Sequence, residues 1–169
     1  MLTKNGVRLI EYNARFGDPE VMNVLSVLRT DLVEIVEAVL KGRLHCVALD
    51  LEKKATVCKY VVPQGYPDDP VRDQKIEINR LPSDAKAYFA SVDQREDGLY
   101  LVGSRAVAFV AKAGSLAEAE KLAEQAACSV TGPVFHRKDI GTAKLIEAKV
   151  KMMMDLQARV QPILRSRWT

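Results

Sequence analysis

Residues Leu9–Phe16 alternate along the chain and then run into Gly17-Asp18-Pro19, a pattern that joins an extended strand directly to a helix start. In a strand, Glu11, Asn13 and Arg15 share one face, while Ile10, Tyr12, Ala14 and Phe16 share the other. The polar face then sets a carboxylate, an amide and a guanidinium in a row, about 7 Å apart. Two readings are open: a solvated outer face, or hard oxygen ligands for a divalent cation beside a fixed positive charge. After the strand, Gly17 permits a tight turn, Asp18 suits an N-cap and Pro19 the first helical position. Val21, Met22, Val24, Leu25 and Leu28 supply the apolar face of that helix. Asp18 has two candidate jobs: capping the helix, or pointing outward to hold an ammonium group.

The run Glu11-Tyr12-Asn13-Ala14-Arg15-Phe16-Gly17-Asp18-Pro19-Glu20 resembles the closing active-site strand of the glycinamide ribonucleotide synthetase (phosphoribosylamine–glycine ligase) family of ATP-grasp enzymes. The likeness continues in order along the chain. Val57–Pro67 is similar to the family's strand and Gly-Tyr-Pro turn, Ser104–Ala111 to its C-terminal Gly-Arg-Val strand, and Arg137–Gly141 to its closing Arg-Arg-Asp-Ile-Gly. Two positions depart: Gly103-Ser104-Arg105 stands for the family's Gly-Gly-Arg, and His136 for a common Tyr. The resemblance implies that Glu11 and Asn13 bind Mg²⁺ or Mn²⁺, with Arg15 and Asp18 at the phosphate and substrate end. It also implies ATP, glycine and 5-phosphoribosylamine as substrates of an enzyme well over twice this length. Most ATP-binding residues would precede Met1, and no Gly-rich phosphate loop occurs in the 169 residues. The expectation is therefore a C-terminal part, inactive unless the missing N-terminal portion is supplied, with that portion or a second copy in a homodimer as its possible partner. The other open reading is a non-catalytic association module or one half of a split enzyme.

Local signals agree with an interrupted site. Asn5-Gly6 between two short apolar runs predicts a hairpin in which Lys4 faces Val7 and Met1 faces Ile10. The partner strand then stops where Glu11 begins, leaving an unpaired edge.

The resemblance and the pattern together predict an α+β chain. Residues 1–45 are expected to be a remnant of an ATP-grasp domain, a hairpin plus two helices. Residues 46–145 should form a mainly antiparallel β-sheet or barrel-like domain with packed helices, and 146–169 a helical extension and tail. Asp31 and Glu34 start a helix reaching about Lys41, with Leu32, Val36, Val39 and Leu40 facing a core. Strands are expected at Ala55–Val62, Lys75–Ile78, Ala85–Val92, Leu99–Val102 and Arg105–Ala113, with Asp97-Gly98 in a hairpin loop. Ser115 and Glu118 form a capping box for a helix lined by Leu116, Ala119, Leu122, Ala123, Ala126 and Ala127. A second helix beginning after Asp139 carries Leu145, Ile146, Val150, Met153 and Leu156 on one side. Met152–Met154 is read as core filling, and Pro162–Thr169 as a frayed end.

Arg105, Arg137, Lys138 and Lys59 each have a ligand-facing and a solvated reading. A net charge of +3 argues against nucleic-acid binding, and no apolar run reaches the roughly 20 residues of a membrane span. Cys46, Cys58 and Cys128 are too scattered for a paired zinc motif. They are expected to be buried, inert thiols of a cytoplasmic protein.

Overall fold

The computed structural model describes residues 1–3 and 5–165. A short hairpin, β1 (Leu2–Thr3) and β2 (Gly6–Val7), leads to helices α1 (Glu20–Val27) and α2 (Leu32–Leu40) and a 3-10 turn at Leu44–Cys46. The body follows as β3 (Ala55–Pro63), β4 (Lys75–Ile78), β5 (Ala85–Phe89), β6 (Val92–Arg95), β7 (Gly98–Leu101) and β8 (Val107–Ala113). It closes with α3 (Leu116–Cys128), β9 (Val130–Thr131), β10 (Val134–His136) and α4 (Ala143–Arg165). No helix among the described residues is long and apolar enough to cross a membrane.

All strand pairs among the described residues are antiparallel: the β1–β2 hairpin and two four-stranded sheets ordered β10-β3-β8-β5 and β6-β7-β4-β9. The mixed α+β class holds, but the barrel-like expectation does not. No pairing among the described residues closes either sheet into a barrel. The strand expected to be continuous from Ala85 to Val92 instead breaks at Ala90-Ser91 and changes sheet. There the amides of Ala90 and Ser91 still reach the carbonyls of Ala106 and Arg105, while Val102 binds back to Ser91. A corner of this kind passes one strand between two sheets without closing them.

β3 is covered on both faces, which explains its near-continuous burial. Val57 and Val61, with Val107, Phe109 and Ala111 of β8, pack against Ala119, Ala123, Ala126 and Ala127 of α3. Alanine at each contact position lets the helix approach the sheet closely. Ser115 accepts from the Glu118 amide and Glu118 from the Ser115 amide, so the expected capping box fixes where α3 begins. On the opposite face, Cys58, Ala108 and Val110 pack with Met22 of α1 and with Tyr60. An Asn23–Thr56 hydrogen bond of 3.0 Å and a Lys112–Glu52 ion pair of 2.8 Å also tie the α1 region to this face.

Several local expectations are corrected. Leu2 pairs with Val7 and Thr3 with Gly6, so Val7 does not face Lys4, which lies outside the described residues. Met1 exchanges hydrogen bonds with Arg8, not Ile10. The second hairpin slips in the same way, pairing Arg95 with Gly98 and leaving Glu96-Asp97 as its loop. Gly6 and Gly98 both have positive φ, 96° and 146°. In each case glycine serves just after the turn, a use that Asn-Gly and Asp-Gly permit as readily as the loop position. Val36, Val39 and Leu40 of α2 are half to four-fifths exposed, so their stripe meets no core here. Met152, Met153 and Met154 are also exposed and do not fill a core. α4 runs through Pro162 to Arg165, and the rest of the expected frayed end lies outside the described residues.

Candidate functional site

Residues 9–14 belong to no strand pair, and every residue from Leu9 to Phe16 is exposed. The alternation nevertheless does what it predicts locally: Glu11 and Asn13 lie on the same side, with Asn13 Nδ2 donating to Glu11 Oε1 at 3.0 Å. Arg15 turns back and donates to the Phe16 carbonyl at 2.8 Å. No hydrogen bond or ion pair among the described residues joins it to Glu11, Asn13 or Asp18.

The donor chemistry at Glu11 and Asn13 fits a hard cation. The 3.0 Å contact between them is an N–H···O hydrogen bond, and a half-turn of the Asn13 amide would present its oxygen beside the Glu11 carboxylate, within reach of one ion.

Asp18 does not cap α1. The helix begins after Pro19 with no side-chain cap. Its first turn is closed by backbone bonds from Val21 to Gly17 and from Met22 to Pro19. The carboxylate reaches across to β3 and the loop before β8. Asp18 Oδ1 accepts from the Tyr60 hydroxyl at 2.9 Å, and Oδ2 lies 3.1 Å from the Arg105 guanidinium. Arg105 also stacks over the Tyr60 ring, 5.0 Å from its centroid. The three side chains form one unit, in which Asp18 neither caps α1 nor points away from the chain but is held by Tyr60 and Arg105.

This unit borders a cavity of ≈ 430 Å³. Val62, Pro67, Phe135 and Ile140 give it apolar walls, and Tyr60, Tyr66, Arg105 and Arg137 contribute its polar groups. Arg137 is held by Asp139 through two contacts of 3.0 and 2.6 Å. An apolar cleft with two guanidinium groups at its edge suits an anion carried on an organic body. Burial, then the hydrogen bond to Asp18, pushes the Tyr60 phenol up to about 12. Burial, then the charges of Asp18 and Glu20, pushes the Cys58 thiol up to about 12. Both groups are therefore neutral near pH 7, and Tyr60 serves as a hydrogen-bond donor.

Sequence reasoning singled out Arg105 and Arg137 but gave Tyr60 no role. Its signal was the alternation of β3, which puts Cys58, Tyr60 and Val62 on the face opposite Lys59. Lys59 lies on neither an active-site face nor a solvated one. It is 1% exposed beneath α3, donating to Glu120 at 2.8 Å, Glu124 at 2.6 Å and the Lys138 carbonyl at 3.0 Å. Burial disfavours its charge, yet the two glutamates outweigh that and hold the ammonium above its usual value. Of the cysteines, Cys58 is buried as expected, whereas Cys46 and Cys128 are exposed.

Residues 56–143 match the family model described as phosphoribosylglycinamide synthetase, C domain. The phosphoribosylamine–glycine ligase of Methanocaldococcus jannaschii is 47% identical over 160 residues, covering 93% of this chain and 36% of the relative. That of Pyrococcus abyssi is 47% identical over 165 residues, covering 96% and 36%. A crystal structure of phosphoribosylamine–glycine ligase from Thermotoga maritima superposes with a TM-score of 0.59 at 26% identity, covering 82% of this chain and 34% of that one. The chain thus spans about a third of the length of the curated relatives it matches.

Proposed function

The chain belongs to the phosphoribosylglycinamide synthetase (phosphoribosylamine–glycine ligase) family, and from that premise we propose that it is the C-terminal portion of an ATP-dependent ligase of purine biosynthesis. Residues 1–45 are read as the end of the ATP-grasp domain, 46–145 as the C-terminal domain and 146–169 as a helical extension. In the whole cytoplasmic enzyme, the glycine carboxylate attacks the γ-phosphate of ATP, giving glycyl phosphate and ADP. The amine of 5-phosphoribosylamine then attacks the acyl carbon, releasing phosphate and forming glycinamide ribonucleotide.

Both steps gather negative charge, so positioning and charge neutralisation matter more than proton shuttling. Glu11 and Asn13 are the residues that would hold Mg²⁺ or Mn²⁺, which would supply charge neutralisation for the phosphoryl group. Arg15 is exposed and free to swing from the Phe16 carbonyl onto a phosphoryl oxygen or a carboxylate. Asp18, held by Tyr60 and Arg105, is oriented to receive an amine or to release Arg105 to an anion.

The observation that carries this reading is the same-side pairing of Glu11 and Asn13, a few residues along the chain from Asp18 and its partners Tyr60 and Arg105. The exposed apolar residues Val7, Leu9, Ile10, Tyr12 and Phe16 support a missing packing partner for that segment. Alone, the chain is expected to act only as a folded association module. In the full-length enzyme, Glu11→Gln should lower turnover at low Mg²⁺ by at least 100-fold with partial recovery at high Mg²⁺. Near-normal activity at low Mg²⁺ would sink the metal assignment.

A further inference from the structure

The far side of the β3 sheet holds a second cluster that the ligase reading does not use. Glu124 and Cys128 sit four residues apart on α3, and His136 comes from the adjacent β10. Glu124 Oε1 lies 3.1 Å from His136 Nε2 and 3.6 Å from Cys128 Sγ, and the three atoms all fall within 4.8 Å of one another. In tetrahedral zinc coordination, the ordinary bond lengths put an oxygen and a nitrogen ligand about 3.3 Å apart, and an oxygen and a sulfur about 3.5 Å apart. Two edges of that tetrahedron are thus already present. The third, from sulfur to nitrogen, lies within 4.8 Å, and the Cys128 side chain is exposed.

We propose that Glu124, Cys128 and His136 form a binding site for Zn²⁺ or a similarly thiophilic divalent cation, fastening the C-terminal end of α3 to β10. Thiolate, imidazole and carboxylate are the donor set that selects such an ion over Mg²⁺. Charge balance points the same way. Lys59, Glu120 and Glu124 together leave one negative charge in excess beneath α3. Binding Zn²⁺ with loss of the Cys128 proton adds one positive charge and makes the cluster neutral. Lys59 occupies Glu124 Oε2, so Oε1 is the oxygen left to face the metal. His136 would bind through Nε2 with its proton on Nδ1. Cysteine spacing along the chain gave no hint of this site, because one ligand arrives from a neighbouring strand.

The test uses the reduced, chelator-stripped chain, titrated with Zn²⁺ by calorimetry and with Co²⁺ by absorption. One equivalent should bind, with a thiolate-to-Co²⁺ charge-transfer band and a rise in Tm on adding Zn²⁺. Cys128→Ser should abolish the band and weaken Zn²⁺ binding at least tenfold, and His136→Gln should weaken it similarly. Cys46→Ser should change neither, and Mg²⁺ should not raise the Tm through this cluster. If His136→Gln folds poorly, surface-exposed Cys128→Ser decides the matter alone. Absence of the band in the unmodified chain, or its survival in Cys128→Ser, overturns the proposal.

Discussion

Residues 9–16 and residues 55–63 both carry strand-like sequence, yet only the second stretch is held on both edges and both faces. β3 lies between β8 and β10, with α3 over one side and α1 over the other. Its lysine is fully buried and satisfied by three acceptors. Glu11, Asn13 and Arg15 by contrast remain in solvent with only local hydrogen bonds. The difference teaches where each stretch finds its stabilising partners. Those of β3 are inside this chain, whereas the segment from Leu9 to Phe16 shows none beyond its own neighbours among the described residues.

Lys59→Met should sharpen the contrast most. It leaves Glu120 and Glu124 without their ammonium, and losing one partner of a buried pair costs 3–5 kcal/mol when the survivor is fully enclosed. The glutamate side chains keep 20% and 27% exposure, which reduces the expected loss to about 2–4 kcal/mol. Urea unfolding measures it. A loss below about 1 kcal/mol would mean that the core tolerates the change and the contrast with the open segment fails.

A smaller effect should appear in alkali. Cys58 and Tyr60 have folded pKa values raised to about 12, above their ordinary values. Their stabilising contribution is intact below the unfolded pKa values, about 8.5 and 10. It is lost as pH rises from there toward 12, because the unfolded chain releases protons that the folded chain retains. Urea midpoints should fall from pH 9 upward, and Cys58→Ala should flatten the early part of that fall. A midpoint constant to pH 11 would contradict the burial of this face. The smallest effect belongs to Glu11→Gln, which should change the stability of the chain by less than about 0.5 kcal/mol because the side chain is exposed.

Much of the body was legible because its signals are local. Ser115 and Glu118 fixed the start of α3, Asp31 the start of α2, and β4 falls where its apolar pattern put it. What escaped depends on contacts distant in sequence. Asp18 has the composition of an N-cap, and only the approach of Tyr60 and Arg105, 42 and 87 positions away, draws it off the helix. Lys59 looked like a cleft residue because nothing nearby announces Glu120 and Glu124. The break at Ala90-Ser91 has no turn signal because the strand changes sheet rather than direction. α2 shows the reverse failure, with an apolar stripe that no described residue covers.

Ligation assayed with ATP, glycine, 5-phosphoribosylamine and Mg²⁺ tests the central claim most directly. The chain should be tried alone and then with the preceding portion of the ligase supplied as a separate polypeptide. The account predicts no turnover alone and measurable turnover on mixing, abolished when the chain carries Glu11→Gln. Turnover by the chain alone, or mixing-dependent turnover that Glu11→Gln leaves intact, would contradict it.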